Sequence, residues 1–218
     1  MNVGLIGKGY WGTILLSKLE KICDVKFICN SKDNYKTKLD LVDWVFIATP
    51  NDTHFNIVKY CLQSKKNVFC EKPLTPSYKD CIKLYNIADK VGVKLYVSDV
   101  FNYRNETKLL DLSKTNLKVI WNNPNNTDFK NLMYHDLYLL YPLLKKDLKI
   151  NMPYINNIKF TYNVTDTKEH WVAGIDFTHK PSTNDALYDI VKKVLNNKVN
   201  YDYNKKITLN CSLILNKI

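Results

Sequence analysis

From Asn2 to Gly12 the chain reads Asn2-Val3-Gly4-Leu5-Ile6-Gly7-Lys8-Gly9-Tyr10-Trp11-Gly12. The first five residues are a short apolar run, and behind the glycines Ile14, Leu15, Leu19 and Ile22 recur at helical spacing. Strand, tight turn and helix therefore follow one another without a linker. In that setting each glycine has its own use: a turn needing positive φ, close approach of backbone to a pyrophosphate, and tight contact of helix with strand. A G-x-G-x-x-G alone is a weak signal, and its position between a strand and a helix is what distinguishes a dinucleotide-binding turn from a glycine turn without a ligand. Gly7, Gly9, Tyr10, Trp11 and Gly12 are accordingly candidate cofactor-binding residues.

Outward from this turn the chain alternates strands and helices. A second strand, Val25 to Cys29, closes a βαβ unit, and the next is Trp44 to Ala48. Residues 30–43 are too few for a further helix and strand, so the pattern is that of a trimmed Rossmann half. Helical spacing at Phe55, Val58 and Leu62 leads to the strand Asn67 to Cys70, and a helix from Ser77 to Val91 stops near Gly92 before the strand Val93 to Val97. This grammar predicts an α/β fold with a doubly wound parallel sheet over residues 1–103. Beyond it a strand from Leu117 to Trp121, a helix from Asp128 to Leu144 and alternating strands over Ile155 to Val164 and His170 to Phe177 predict a smaller α+β domain, 104–218, with an antiparallel sheet. Thr183 to Leu195 reads as a helix, while the tail from Ile207 fits helix and strand equally.

The second strand of a dinucleotide fold normally ends on an acidic residue for the adenosine ribose. Here that place is held by Asn30-Ser31-Lys32. A carboxylate would repel a 2′-phosphate, so its absence beside a lysine tilts the choice between NADP and NAD toward NADP. Glu71-Lys72-Pro73 follows a parallel strand, at the sheet end where open α/β folds bind ligands, and a lysine there can act as acid or base once its surroundings lower its pKa.

Composition narrows the remaining classes. Of the 218 residues 45% are apolar and they are spread throughout, which predicts a globular protein rather than a disordered one. No apolar stretch suffices to span a bilayer and no secretory pattern opens the chain, so a cytoplasmic protein with no membrane partner is expected. The six cysteines form no C-x-x-C pair and do not cluster with the four histidines, which argues for reduced thiols and against a metal site. The net charge of +11 favours anionic ligands, but the lysines are scattered and no aromatic RNA-binding signature accompanies them, so nucleic acid is not the expected partner.

The runs Ile47-Ala48-Thr49-Pro50-Asn51-Asp52-Thr53-His54 and Asn67-Val68-Phe69-Cys70-Glu71-Lys72-Pro73-Leu74, in register with the glycine turn, resemble the glucose-fructose oxidoreductase and inositol dehydrogenase (Gfo/Idh/MocA) family. The resemblance is close over residues 1 to about 104 and looser beyond. It implies a nicotinamide-dependent oxidoreductase of sugar metabolism, with a sugar, nucleotide sugar or polyol-like small molecule as substrate. It adds Thr49, Pro50, Asn51, His54, Glu71 and Lys72 to the cofactor-binding set, and implies that Lys72 and His135 handle the proton of the substrate hydroxyl. The family pattern of an aspartate, three residues and a histidine appears as Asn131-Leu132-Met133-Tyr134-His135, so Asn131 stands where the aspartate would be. An asparagine orients substrate through hydrogen bonds but cannot balance the charge of a lysine. The resemblance also implies a helical tail and a homo-oligomer formed through the second domain's open sheet, although residues 104–218 are few for that domain. A cofactor-binding regulatory or scaffold protein is the rival reading, and the intact Lys72 argues against it.

Overall fold

The computed structural model describes residues 1–114, 116–123, 129–144, 148–166, 168–177 and 184–218. The chain divides into two compact units, Met1–Ser98 with Leu187–Ser212, and Asp99–Ala186 with Leu213–Ile218.

In the first unit β1 (Asn2–Ile6), α1 (Tyr10–Leu19), β2 (Asp24–Cys29), β3 (Trp44–Ile47), α2 (His54–Gln63), β4 (Asn67–Cys70), α3 (Tyr78–Val91) and β5 (Leu95–Val97) form a parallel sheet of order β2-β1-β3-β4-β5. A 3₁₀ segment, Tyr35–Leu41, replaces the helix and strand that the short 30–43 connection cannot hold. β3 is buried along its whole length, as expected of a central parallel strand covered on both faces. One face packs Val45, Ile47, Val68 and Val97 against Val58, Leu62, Leu84 and Ala88 of the helices. A second layer runs through stacked rings, Phe46 on Phe69 at 5.0 Å and Phe69 on Tyr96 at 6.0 Å, with Tyr201 set edge-on to Tyr96. α3 is fixed at both ends, by the Ser77 hydroxyl accepting from the Asp80 N–H and by Gly92 in the left-handed region.

The tail is helical: α5 (Ala186–Leu195, after α4 below) and α6 (Tyr201–Lys217). Most of it belongs with the Rossmann sheet rather than with the segment expected as a second domain. The Asn204 amide explains why: its oxygen accepts from the Val97 N–H and its nitrogen donates to the Val97 carbonyl, both at 2.9 Å, so α6 satisfies the open edge of β5.

The second unit holds β6 (Lys118–Asn123), α4 (Phe129–Leu144), β7 (Ile150–Asn151), β8 (Tyr154–Ile155), β9 (Ile158–Val164), β10 (Glu169–Val172) and β11 (Ile175–Asp176). The sheet order is β11-β10-β6-β9-β8-β7. It is mixed rather than wholly antiparallel, because β6 pairs with β9 in parallel and α4 lies in the connection between them. The expected ends of the helices at Asp128 and Thr183 fall outside the described residues.

Candidate functional site

The first unit's strand order reverses at β1, which is flanked by β2 and β3, so the ends of β1 and β3 form a switch point. The glycine turn leaves β1 there. Gly7 has φ +102°, and a Cβ on it would lie 2.3 Å from the Ala48 carbonyl oxygen, while its N–H donates to the Cys29 carbonyl at 2.8 Å. A Cβ on Gly12 would lie 2.0 Å from the Gly7 carbonyl oxygen, so α1 meets the turn with no room for a side chain. Gly9 differs: a Cβ there meets nothing within 4 Å. It is the N-cap of α1, no side chain caps that end, and no acidic residue occupies the first turn, so the helix presents uncapped N–H groups beside open space. Tyr10 and Trp11 stand exposed at the same helix head, their rings edge to face at 5.5 Å.

At the end of β2, Asn30, Ser31 and Lys32 are exposed as a ligand-facing turn requires. The Lys32 N–H donates to the Asn30 side-chain oxygen at 2.8 Å. Asp33, which sequence reasoning passed over, folds its carboxylate back to accept the Asn30 N–H at 2.8 Å. Asp33 thus brings a carboxylate into the turn whose position 30 lacks one. An Asx-type turn was the only sequence signal for it.

Thr49, Pro50 and Asn51 leave β3 beside the glycine turn, and the Thr49 and Thr53 hydroxyls are hydrogen-bonded at 2.7 Å. The next strand brings Glu71 alongside, its N–H donating to the Ile47 carbonyl at 2.9 Å. Glu71 and Lys72 are partly buried. Burial pushes the Glu71 carboxyl above its ordinary pKa, against the opposing pull of the Lys72 charge and the Ser98 hydroxyl. The first unit therefore gathers Gly7, Gly9, Gly12, the Asn30–Asp33 turn, Thr49–Asn51 and Glu71–Lys72 at strand ends of one sheet. His54 is fully buried, with Nδ1 2.8 Å from the Pro73 carbonyl oxygen and Nε2 2.9 Å from that of Thr49, so both ring nitrogens face backbone carbonyls.

In the second unit Asn131 and His135 lie one turn apart on α4, both partly buried. The His135 ring stacks on Phe101 with centroids 4.1 Å apart and planes at 16°. The adjacent Asp136 is fully buried and accepts three hydrogen bonds or ion-pair contacts: Trp121 Nε1 at 2.8 Å, Tyr162 hydroxyl at 3.1 Å and His170 Nε2 at 2.7 Å. His170 itself stacks on Trp121 at 3.6 Å. This polar core went unnoticed in the sequence, where only the inward alternation of His170 in a strand hinted at it.

Residues 16–99 match the oxidoreductase family with an NAD-binding Rossmann fold, Gfo/Idh/MocA. The similarity to that family lies within the Rossmann half. Over 123 residues the chain is 30% identical to 2,7-anhydro-N-acetylneuraminate hydratase of Escherichia coli K12, covering 48% of this chain and 33% of that one. The chain thus spans about a third of that curated relative. Among solved structures, UDP-N-acetylglucosamine 3-dehydrogenase GnnA from Acidithiobacillus ferrooxidans superposes with TM-score 0.81 at 16% identity, covering 100% of this chain and 96% of that one. The WlbA (WbpB) dehydrogenase from Thermus thermophilus, in complex with NAD and UDP-GlcNAcA, gives 0.72 at 15% identity over 99% and 94%. At these identities the two structures establish likeness of fold alone. No described helix is long and apolar enough to cross a membrane.

Proposed function

We propose that the chain is a nicotinamide-dependent oxidoreductase acting on a sugar or nucleotide sugar. The observation that carries this reading is the contrast among the three glycines: two are closed by backbone contacts, while Gly9 faces open space at an uncapped helix head. That is the room a pyrophosphate requires. Gly7, Gly9 and Gly12 would cradle it, Tyr10 and Trp11 would flank it, Asn30, Ser31, Lys32 and Asp33 would meet the adenosine ribose, and Thr49, Pro50 and Asn51 would border the nicotinamide ribose. The cofactor supplies hydride chemistry. Asp33 makes NAD the favoured form, since its carboxylate accepts ribose hydroxyls and repels a 2′-phosphate.

Lys72 donates or accepts the proton of the reacting oxygen, with Glu71 as its neighbouring carboxyl. His135 and Asn131 are proposed, by the family resemblance, to bind and orient the substrate, His135 sharing the proton transfer. The fold neighbours named as acting on or binding nucleotide sugars, together with the charge of +11, favour an anionic sugar derivative. The test is NADH or NADPH formation with a panel of sugars and nucleotide sugars. Lys72→Ala is expected to lower turnover by ~10²- to 10⁴-fold while cofactor affinity stays near that of the wild type. Full activity in that variant would remove Lys72 from the chemistry.

A further inference from the structure

His54 heads α2 directly after the Thr49–Asn51 loop, yet its ring points into the protein and is 0% exposed. Its two nitrogens reach two different loops: Nε2 the carbonyl of Thr49, at the end of β3, and Nδ1 the carbonyl of Pro73, the residue after Lys72. Both partners are acceptors only, so each contact is a hydrogen bond when the nitrogen facing it carries the proton. Burial favours the neutral ring, which donates its single N–H to one of the two carbonyls and keeps its other nitrogen in contact with the second. A methyl-lined core position would need none of this. A buried imidazole whose two nitrogens face the carbonyls of Thr49 and Pro73 bridges the two loops.

We propose that His54 is a positioning residue that couples the cofactor loop at Thr49–Asn51 to the loop carrying Lys72. The inference rests on the nicotinamide-dependent reading for the roles of those loops. Its consequence is that the two segments move together: loosening one at His54 loosens the other, so cofactor affinity and the placement of the Lys72 amine depend on a residue that touches neither ligand.

The experiment compares wild type, His54→Ala, His54→Gln and Val58→Ala in the full chain. Val58 is buried on the same helix four residues on and touches neither carbonyl through a polar atom, so it controls for simple loss of core packing. Amide hydrogen exchange is read in peptides covering residues 49–54 and 71–75, and NADH affinity by fluorescence titration. In His54→Ala exchange is expected to speed at least tenfold in both peptides, and NADH affinity to fall at least tenfold. Val58→Ala should lower thermal stability without either effect. His54→Gln, whose amide N–H retains one carbonyl contact, should recover part of both. Faster exchange in only one loop, or equal changes in His54→Ala and Val58→Ala, overturns the coupling. Absence of NADH binding to the wild type would instead overturn the dinucleotide reading, while the exchange comparison still decides the crosslink.

Discussion

Replacing the turn glycines one at a time should separate folding from cofactor binding. In Gly7→Ala the side chain is forced to φ +102° and its Cβ to within 2.3 Å of the Ala48 carbonyl oxygen. Backbone strain of about 1–3 kcal/mol adds to an overpacking cost of about 1–3 kcal/mol. At roughly 2–4 °C per kcal/mol for a chain of this size, thermal unfolding should fall by about 5–20 °C. Gly12→Ala, with its Cβ 2.0 Å from the Gly7 carbonyl oxygen, belongs in the same class. Gly9→Val meets no protein atom, and the Gly9 backbone, at φ −76° and ψ −166°, is one that a β-branched residue accepts. Its stability cost is only that of a poorer N-cap, about 0.5–1 kcal/mol, or a few degrees. Yet it fills the approach to the helix head, so NADH binding should weaken at least a hundredfold, about 2.7 kcal/mol. Differential scanning fluorimetry and NADH titration on the same samples read both quantities. A Gly9→Val protein that binds NADH as the wild type does, or a Gly7→Ala protein as stable as Gly9→Val, would refute the reasoning.

Asp33→Asn should move cofactor preference toward NADPH by about tenfold, or 1.4 kcal/mol, in competitive titration, because it removes the repulsion of a 2′-phosphate. Asp136→Ala leaves His170, Trp121 and Tyr162 without their buried acceptor, and should cost about 3–5 kcal/mol by chemical denaturation. The fall of His54 below the ordinary histidine pKa makes its contribution to stability full above that value and lost as pH falls through it, since the unfolded chain then binds the extra proton. Thermal unfolding measured between about pH 7 and 5 should therefore decline more steeply in the wild type than in His54→Gln.

The Rossmann half was legible because its signals are local: an apolar strand, glycines at fixed offsets, and capped helices such as α3 between Ser77 and Gly92. The short 30–43 connection marked that half as trimmed, and a 3₁₀ segment fills it. What stayed hidden is set by distance in sequence. Nothing near Asn204 announces that its amide closes the edge of β5 at Val97, so the tail's place beside the Rossmann sheet is not legible in its own residues. The parallel pairing of β6 with β9 likewise depends on which strands meet, and alternation of apolar residues is the same for parallel and antiparallel partners. At the site, the positions of Gly9 and Lys72 were readable from motif spacing. The Asp33 carboxylate is hard to read because it lies three residues beyond the usual place, and the inward turn of His54 because a motif histidine reads alike whether it faces a ligand or a carbonyl.

A crystal structure of the chain grown with NADH bears most directly on the central claim. The account predicts the pyrophosphate over Gly9 at the head of α1, the nicotinamide ribose against Thr49–Asn51 and the nicotinamide ring next to the Lys72 amine. A dinucleotide bound elsewhere on the protein, with the space above Gly9 filled only by solvent, would contradict it.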